Sequence, residues 1–201
     1  MNRRLVLATT LMGLSALGSA QVLYSWETGL EGWADNSGDV VLNLAQSTTG
    51  ATEGTQALSI TWQGGFGWFN TGQTAGLVEQ TLNGATQFEL DVTVPDGFSG
   101  VSNWANMLLA FNDGTHGWRQ LGASVNVPTT AGTHRLVFDY SGLAAPPASN
   151  PWFQIHLAVN SANGADRTLY LDNMHVVPEP ASMIALALGG LGVIARRRRK
   201  V

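Results

Sequence analysis

Short stretches of alternating apolar and polar residues run through most of the chain, separated by Gly, Asn, Asp, Thr and Pro. A period of two is the pattern of a β-strand with one buried and one solvated face, and turn residues at roughly 8–12 residue spacing are typical of a sandwich. No stretch between the two ends of the chain keeps a helical period, so we expect no long helix there. The pattern therefore predicts an all-β fold, an antiparallel β-sandwich. The predicted strands are Val22–Glu27, Val40–Gln46, Ala57–Gln63, Gly67–Asn70, Gln87–Val94, Asn106–Phe111, Gly117–Val127, His134–Tyr140, Phe153–Asn160 and Thr168–Val176.

The same alternation indicates which side chains point into the sandwich, because residues i and i+2 share a face of a strand. In Gln87–Val94, Gly117–Val127 and Phe153–Asn160, every second residue is apolar or small over most of the strand. The predicted core positions of these strands are Phe88, Leu90, Val92, Val94, Leu121, Ala123, Val125, Val127, Phe153, Ile155, Leu157 and Val159. We also expect Trp26, Trp33 and Trp62 in the core.

The outward positions of these strands carry tryptophan beside amide, imidazole and carboxylate side chains. We predict a sugar-binding face, because a sugar ring packs its C–H face on an aromatic plane while its hydroxyls need hydrogen-bond partners. Trp68 and Trp104 lie beside Gly- or Asn-rich turns and could line the rim of this face. The alternative is that the outward tryptophans are covered by loops. The predicted face consists of Glu89, Asp91, Trp118, Gln120, Trp152, Gln154 and His156.

The N-terminus has the three parts of a secretory signal peptide. Arg3 and Arg4 supply the positive region, Leu5–Leu17 the apolar stretch and Gly18-Ser19-Ala20 a small-residue cleavage site before Gln21. We therefore predict a signal-peptide helix in residues 1–20 and export of the chain.

Charge and cysteine content narrow the function of the exported part. The whole chain has a net charge of −4, but residues 21–178 hold three basic and thirteen acidic residues, a net charge of −10. A basic footprint for nucleic acid is therefore absent from the sequence, and we expect no nucleic-acid partner. The absence of cysteine excludes disulfides and cysteine-based zinc sites. About 155 residues suffice for one domain, which we place at 21–176.

The last 25 residues, 177–201, form a separate segment. Val177-Pro178-Glu179-Pro180 is followed by the uncharged apolar run 181–195 and then by Arg196, Arg197, Arg198, Arg199 and Lys200. The apolar run predicts a transmembrane helix, somewhat short of the roughly 20 residues that usually span a bilayer, with the basic cluster on the cytoplasmic side. An ordinary tail anchor has the same helix but does not need the Pro-Glu-Pro.

This order of proline motif, small-residue-rich helix and arginine cluster resembles the PEP-CTERM sorting signal of exported bacterial proteins. The resemblance implies that an exosortase, a membrane transpeptidase, recognises the tail and cuts near the Pro-Glu-Pro. It also implies that the C-terminal helix holds the exported chain in the inner membrane until processing. The product would then reside at the cell surface or in the extracellular matrix.

The middle of the chain is similar to jelly-roll carbohydrate-binding modules. The similarity lies in the stretches 24–33 (YSWETGLEGW), 53–60 (EGTQALSI) and 169–176 (LYLDNMHV). It implies a jelly-roll β-sandwich that binds extracellular polysaccharide. It also implies a structural calcium ion at the matching positions Glu27, Glu53 and Asp172, although calcium needs about six to eight oxygen ligands, several of them carbonyls.

An enzymatic function would depend mainly on Glu89 and Asp91, two carboxylates on one strand face. Jelly-roll glycosidases of the laminarinase type use Glu-x-Asp-x-x-Glu, and this chain has Val94 at the third acidic position. We therefore expect no catalytic residues and a non-catalytic, polysaccharide-binding protein. A structural or adhesive matrix protein without a glycan site is the main alternative. An ice-binding protein is a weaker one, because Thr48-Thr49 and Thr129-Thr130 form no regular ladder.

Overall fold

The computed structural model describes residues 21–74, 82, 85–96, 104–143, 152–162 and 166–178. The predicted signal peptide, the loop around residues 144–151 and the tail from Glu179 onward, with its predicted transmembrane helix and arginine cluster, lie outside these ranges. Within the described ranges, no helix is long and apolar enough to cross a membrane. The described strands are β1 (Gln21–Tyr24), β2 (Ala34–Gly38), β3 (Asn43–Ser47), β4 (Ala57–Trp62), β5 (Gly65–Asn70), β6 (Ala85–Val94), β7 (Ala105–Asp113), β8 (Gly117–Gln120), β9 (Val125–Val127), β10 (Gly132–Asp139), β11 (Phe153–Ser161) and β12 (Arg167–Pro178).

These strands form two antiparallel sheets. The first, which we call the β12 sheet, has the order β10-β6-β12-β4-β3, and β1 also pairs with β12. The second, the β11 sheet, has the order β2-β5-β11-β7-β8, and β9 also pairs with β7. The predicted all-β antiparallel sandwich is confirmed.

The core lies between the two sheets and is built from the alternating apolar positions. The predicted inward residues of β6 and β11 are all buried, with at most 1% of each residue exposed. Trp26, Trp33 and Trp62 are also buried, as predicted. Tyr24, Trp26, Trp33 and Phe69 form a chain of ring contacts at centroid distances of 5.3–6.2 Å. Each such buried side chain contributes about 2 kcal/mol of transfer free energy, so this cluster joins β1 firmly to β5.

Three local predictions differ from the structure. The predicted strand Gly117–Val127 is two strands, β8 and β9, that pair with opposite ends of β7, and Ala123 between them is exposed instead of buried. The first strand ends at Tyr24, and Trp26 beyond it has a positive φ of 54°, which is incompatible with an extended strand. Strand β2 has the sequence ADNSG and was not predicted, because it lacks apolar alternation.

The two ends of the domain meet at one corner of the β12 sheet. Gln21 pairs with Val176, and β12 continues for two further residues, with Val177 opposite Gln87 and Pro178 opposite Ala85. Strand pairing thus reaches into the sorting motif, past the predicted domain limit at 176. All the described strands and their core lie within residues 21–178, and this fragment is the one used in the experiments below.

Candidate functional site

The outer face of the β11 sheet brings together aromatic side chains from three strands. In the strand register, His156 on β11 lies between Asn70 on β5 and Ala110 on β7. Trp68 on β5 is paired with Ala158 on β11. Trp118 on β8 is paired with Asn112 on β7. Because partners in register share a face, Trp68, Trp118 and His156 all project from the outer side. Phe66 lies two residues before Trp68 on β5 and extends this row.

The rings of these four residues form one cluster, which we call the aromatic patch (Phe66, Trp68, Trp118 and His156). The ring centroids of Trp118 and His156 are 4.7 Å apart and those of Trp68 and Trp118 are 5.1 Å apart, with interplanar angles of 66° and 85°. Phe66 contacts Trp68 edge to face at 5.5 Å. Trp118 is the most accessible ring of the patch, with 46% of the residue exposed. The patch therefore offers an aromatic surface to a ligand on a rigid sheet.

His156 lies at the centre of the patch and is 3% exposed. The Asn36 amide donates to His156 Nδ1 at 3.3 Å, which leaves the ring proton on Nε2. Nε2 is buried and has no hydrogen-bond partner among the described residues. Burial lowers the pKa of His156 to about 4, so the ring is neutral at physiological pH.

Neutral amide side chains surround the patch. Asn70 and Gln154 both donate to the Thr71 carbonyl, at 2.7 and 3.2 Å, which fixes their orientation beside His156. Gln120 is exposed on β8, and Asn112 lies beside Trp118 on β7. Amides can donate to and accept from hydroxyl groups, so the patch and its border present both an apolar surface and hydrogen-bonding groups.

The hairpin between β7 and β8 holds Trp118 in position. The buried Asp113 carboxylate accepts from the backbone N–H groups of Thr115 and His116, at 2.9 and 2.7 Å, and forms an ion pair with Arg119. Burial opposes ionisation, but these hydrogen bonds and the Arg119 charge together hold the pKa of Asp113 below its ordinary value. Gly117 completes the turn with a positive φ of 67°, where glycine is favoured.

The structure brings together only part of the predicted sugar-binding face. Trp118, Gln120, Gln154 and His156 lie on the outer face of the β11 sheet, and the half-buried Trp152 directly precedes β11, where its carbonyl accepts from Gly114 in the β7–β8 turn. Glu89 and Asp91, in contrast, project from the β12 sheet on the other side of the sandwich. Their placement with the tryptophans was wrong, because alternation distinguishes inward from outward but does not assign a strand to a sheet.

Asp91 is instead the centre of a polar network on the β12 sheet. Arg135 binds its carboxylate with two bonds, at 2.8 and 3.1 Å, while Asn173 and Thr52 donate at 3.0 and 2.8 Å. Glu89 contacts Arg135 at 3.2 Å and His175 at 3.3 Å. Burial opposes ionisation of Asp91, but the bonds from Arg135, Asn173 and Thr52 hold its pKa below the ordinary value. A glycosidase acid needs the opposite shift, so this geometry does not suit Asp91 to that role.

The three residues that the resemblance assigned to calcium border the turn 52–56. Glu27 accepts from the backbone N–H groups of Thr55 and Gln56, at 2.7 and 2.6 Å, and these bonds lower its pKa. Asp172 accepts from the backbone N–H groups of residues 52, 53 and 173, at 2.5–2.7 Å. Among the described residues, no three acidic, histidine or cysteine side chains are arranged to hold a metal ion. N–H donors therefore surround the Glu27 and Asp172 carboxylates, whereas the Glu53 side chain is exposed, and calcium binding here stays a prediction.

Asn36, Asn70, Asn112 and Phe66 belong to the site but were not predicted for it. Asn70 shares the parity of Trp68 on the predicted strand Gly67–Asn70, so the outward face of that strand contained the signal for it. Phe66 has the same parity but directly precedes the predicted strand. Asn36 lies on β2, which has no apolar alternation and so gave no signal.

Residues 176–200 match the PEP-CTERM protein-sorting motif. This confirms the predicted sorting signal and supports export with a surface or extracellular location. A comparison of the whole sequence with curated proteins gave no significant match.

Solved structures that are similar to this chain include several carbohydrate-binding modules. A module described as promiscuous in specificity, from the β-sandwich superfamily, aligns with a TM-score of 0.56 and 13% identity over 78% of this chain and 62% of its own. CBM27-1 of Caldicellulosiruptor saccharolyticus, in complex with mannohexaose, aligns with a TM-score of 0.56 and 19% identity, over 80% of this chain and 98% of its own. The family 11 module of Clostridium thermocellum, in complex with a β-1,3-1,4-mixed-linked tetrasaccharide, aligns with a TM-score of 0.54 and 12% identity, over 80% of this chain and 96% of its own. At these low identities, the structural alignments show a shared fold, the jelly-roll β-sandwich.

Proposed function

We propose that this chain is an exported, non-catalytic protein that binds polysaccharide on the outer face of its β11 sheet. The observation that carries the proposal is the aromatic patch, in which the exposed Trp118 ring lies against Trp68 and His156 within a border of neutral amides. Aromatic surface flanked by a few oriented polar groups is what a sugar ring requires. The fold shared with modules solved in complex with glycans adds support.

The state of two acidic residues supports the non-catalytic part of the proposal. Asp91 and Asp113 are both engaged by arginine and hold lowered pKa values, whereas a general acid at neutral pH needs a raised pKa. Incubation of residues 21–178 with the oligosaccharides that it binds should release no new reducing ends. Release that is lost in Glu89→Gln would contradict this part.

Processing and location complete the proposal. The tail beyond Pro178 holds the exported chain in the membrane through its apolar segment until an exosortase-like transpeptidase cuts near the Pro-Glu-Pro. The domain then acts at the cell surface or in the extracellular matrix, where polysaccharide is available.

Glycan binding is tested by titrating residues 21–178 with mannohexaose, xylohexaose and a mixed-linked β-1,3-1,4-glucan tetrasaccharide, followed by a panel of polysaccharides. Trp118→Ala should weaken binding at least about tenfold, since truncation of an aromatic residue at the centre of a binding surface typically costs about 2 kcal/mol or more. The control is Val137→Ala, because Val137 is an apolar residue that is 43% exposed but lies on β10 of the β12 sheet, on the other side of the sandwich. Undiminished binding by Trp118→Ala would contradict the assigned face, and no binding by the folded wild type would favour the structural matrix role.

Calcium binding by Glu27, Glu53 and Asp172 is retained only as a prediction from the resemblance. A bound ion would have to use carboxylate lone pairs that the N–H donors leave unused, together with carbonyl oxygens. A melting temperature that rises with calcium chloride, falls with a chelator and loses this response in Glu53→Ala would support it. Identical melting in both solutions would contradict it.

A further inference from the structure

The centre of the proposed binding face is covered in the free protein. Ala110 and Ala158 occupy outward positions of β7 and β11, in register with His156 and Trp68 respectively, yet both are fully buried. An alanine side chain is too short to bury itself on the outer face of a sheet. Leu108 and Trp68 flank Ala158 in register, and the Trp118 ring contacts His156 beside Ala110, so Leu108 and the two indole rings lie over the middle of the sheet.

Trp118 is the most exposed part of this cover. It belongs to β8, an edge strand that pairs only with β7 among the described strands, and nearly half of the residue is exposed. The register partner of Trp118 on β7 is Asn112. Its ring, however, contacts His156 on β11, which is paired with Ala110, so the Trp118 side chain extends diagonally across β7. Rotation about its two side-chain torsions would uncover His156 without breaking a strand pair.

His156 carries a hydrogen-bond donor that the free protein does not use. With Nδ1 occupied by Asn36, the proton is on Nε2, which is buried and lacks a partner. A buried N–H without an acceptor carries an uncompensated desolvation cost. A ligand oxygen that reached Nε2 would recover part of this cost. The outward residues of β5, β7, β8 and β11 contain no charged side chain, so a neutral hydroxyl is the acceptor that matches this surface.

We propose that Trp118 is a movable cover over His156, and that a bound glycan displaces the Trp118 ring and accepts a hydrogen bond from His156 Nε2–H through a sugar hydroxyl. This inference depends on the proposed function and names a specificity-determining residue of the same site. The aromatic ring then packs on the sugar while the imidazole reads one of its hydroxyls. In the closed state the same two side chains protect each other from water.

The cover is tested without any ligand. Trp118→Ala should expose the imidazole, so the pKa of His156, followed by the NMR shifts of its ring in residues 21–178, should rise from about 4 towards the value of an exposed histidine. Val137→Ala, on the other sheet, serves as the control and should leave this titration unchanged. A His156 titration that is the same in Trp118→Ala and in the wild type would overturn the cover.

The donor is tested with His156→Phe, which keeps an aromatic ring but has no N–H. It should weaken binding of the best of the three oligosaccharides about tenfold, the equivalent of one hydrogen bond of about 1.4 kcal/mol, while thermal stability is kept or raised. In the wild type, the Nε2 proton resonance should shift downfield as the glycan is added. Equal affinity of His156→Phe and wild type would overturn the donor role. If the wild type binds no glycan, the proposed function and the donor role fall together, while the ligand-free titration still decides the cover.

Discussion

Asp113 makes no contact in the aromatic patch, but it determines where Trp118 lies. Its carboxylate is fully buried at the β7–β8 turn and is balanced by Arg119 and two backbone N–H groups. Removing one partner of such a pair leaves an uncompensated charge. We therefore expect Asp113→Ala to lower the free energy of unfolding by about 3 kcal/mol, measured by urea denaturation.

The same substitution should weaken glycan binding even at temperatures where the variant is folded, because the hairpin that carries Trp118 is loosened. Asp139→Ala is the control, since Asp139 accepts from the Ser141 N–H in an exposed turn and should matter much less. Equal destabilisation by the two substitutions would show that the Asp113–Arg119 pair has no special role.

His156 should make stability depend on pH in a narrow window. Its pKa is about 4 in the folded protein, against an ordinary value near 6.5, so the unfolded chain takes up the proton first as the pH falls. Its contribution is fully present above about pH 6.5 and is lost between there and about pH 4, a total of up to roughly 3 kcal/mol. His156→Phe should flatten this part of the stability curve measured by chemical denaturation. An unchanged slope from pH 6.5 to 4.5 would contradict the assignment.

At the scale of elements, the turn 52–56 is fastened to β12 by Asp172. This buried carboxylate accepts from three backbone N–H groups, and its replacement by alanine leaves those donors without their acceptor. We expect Asp172→Ala to cost about 2–3 kcal/mol of unfolding free energy. Glu53→Ala is the control within the same turn, because Glu53 contributes its backbone N–H while its side chain is exposed. Equal decreases in melting temperature for Asp172→Ala and Glu53→Ala would contradict this account.

The elements also show how far sequence alone could go. The inward residues of β6 and β11 were predicted correctly, since an alternation of Phe, Leu, Ile and Val leaves only one face that can be buried. The same alternation could not assign Glu89 to the β12 sheet and His156 to the β11 sheet, because sheet membership depends on pairing between distant strands. Asn36 could not be predicted for a different reason, because its strand is defined by pairing with β5 and has no apolar alternation in its sequence.

At the scale of the whole molecule, the sorting motif begins inside the folded domain. Replacing Pro178, Glu179 and Pro180 by alanine should leave the exported chain uncleaved and membrane-bound, as followed by fractionation and immunoblotting. Because Pro178 belongs to β12, the pair Glu179→Ala and Pro180→Ala is the cleaner variant. Trp104→Ala in the full chain should be processed normally. Release of the motif variants at the wild-type rate would refute the sorting role.

The pairing of Gln21 with Val176 means that the first residue after the predicted signal peptide and the last residues before the tail leave the domain side by side. In the proposed function, an anchored tail and a polysaccharide held on the β11 sheet would together load the domain through the end of β12. This strand lies between β6 on one side and β4 and β1 on the other, so a pull along β12 would be shared by hydrogen bonds on both of its edges. Such a pull would shear these hydrogen bonds together instead of breaking them one at a time.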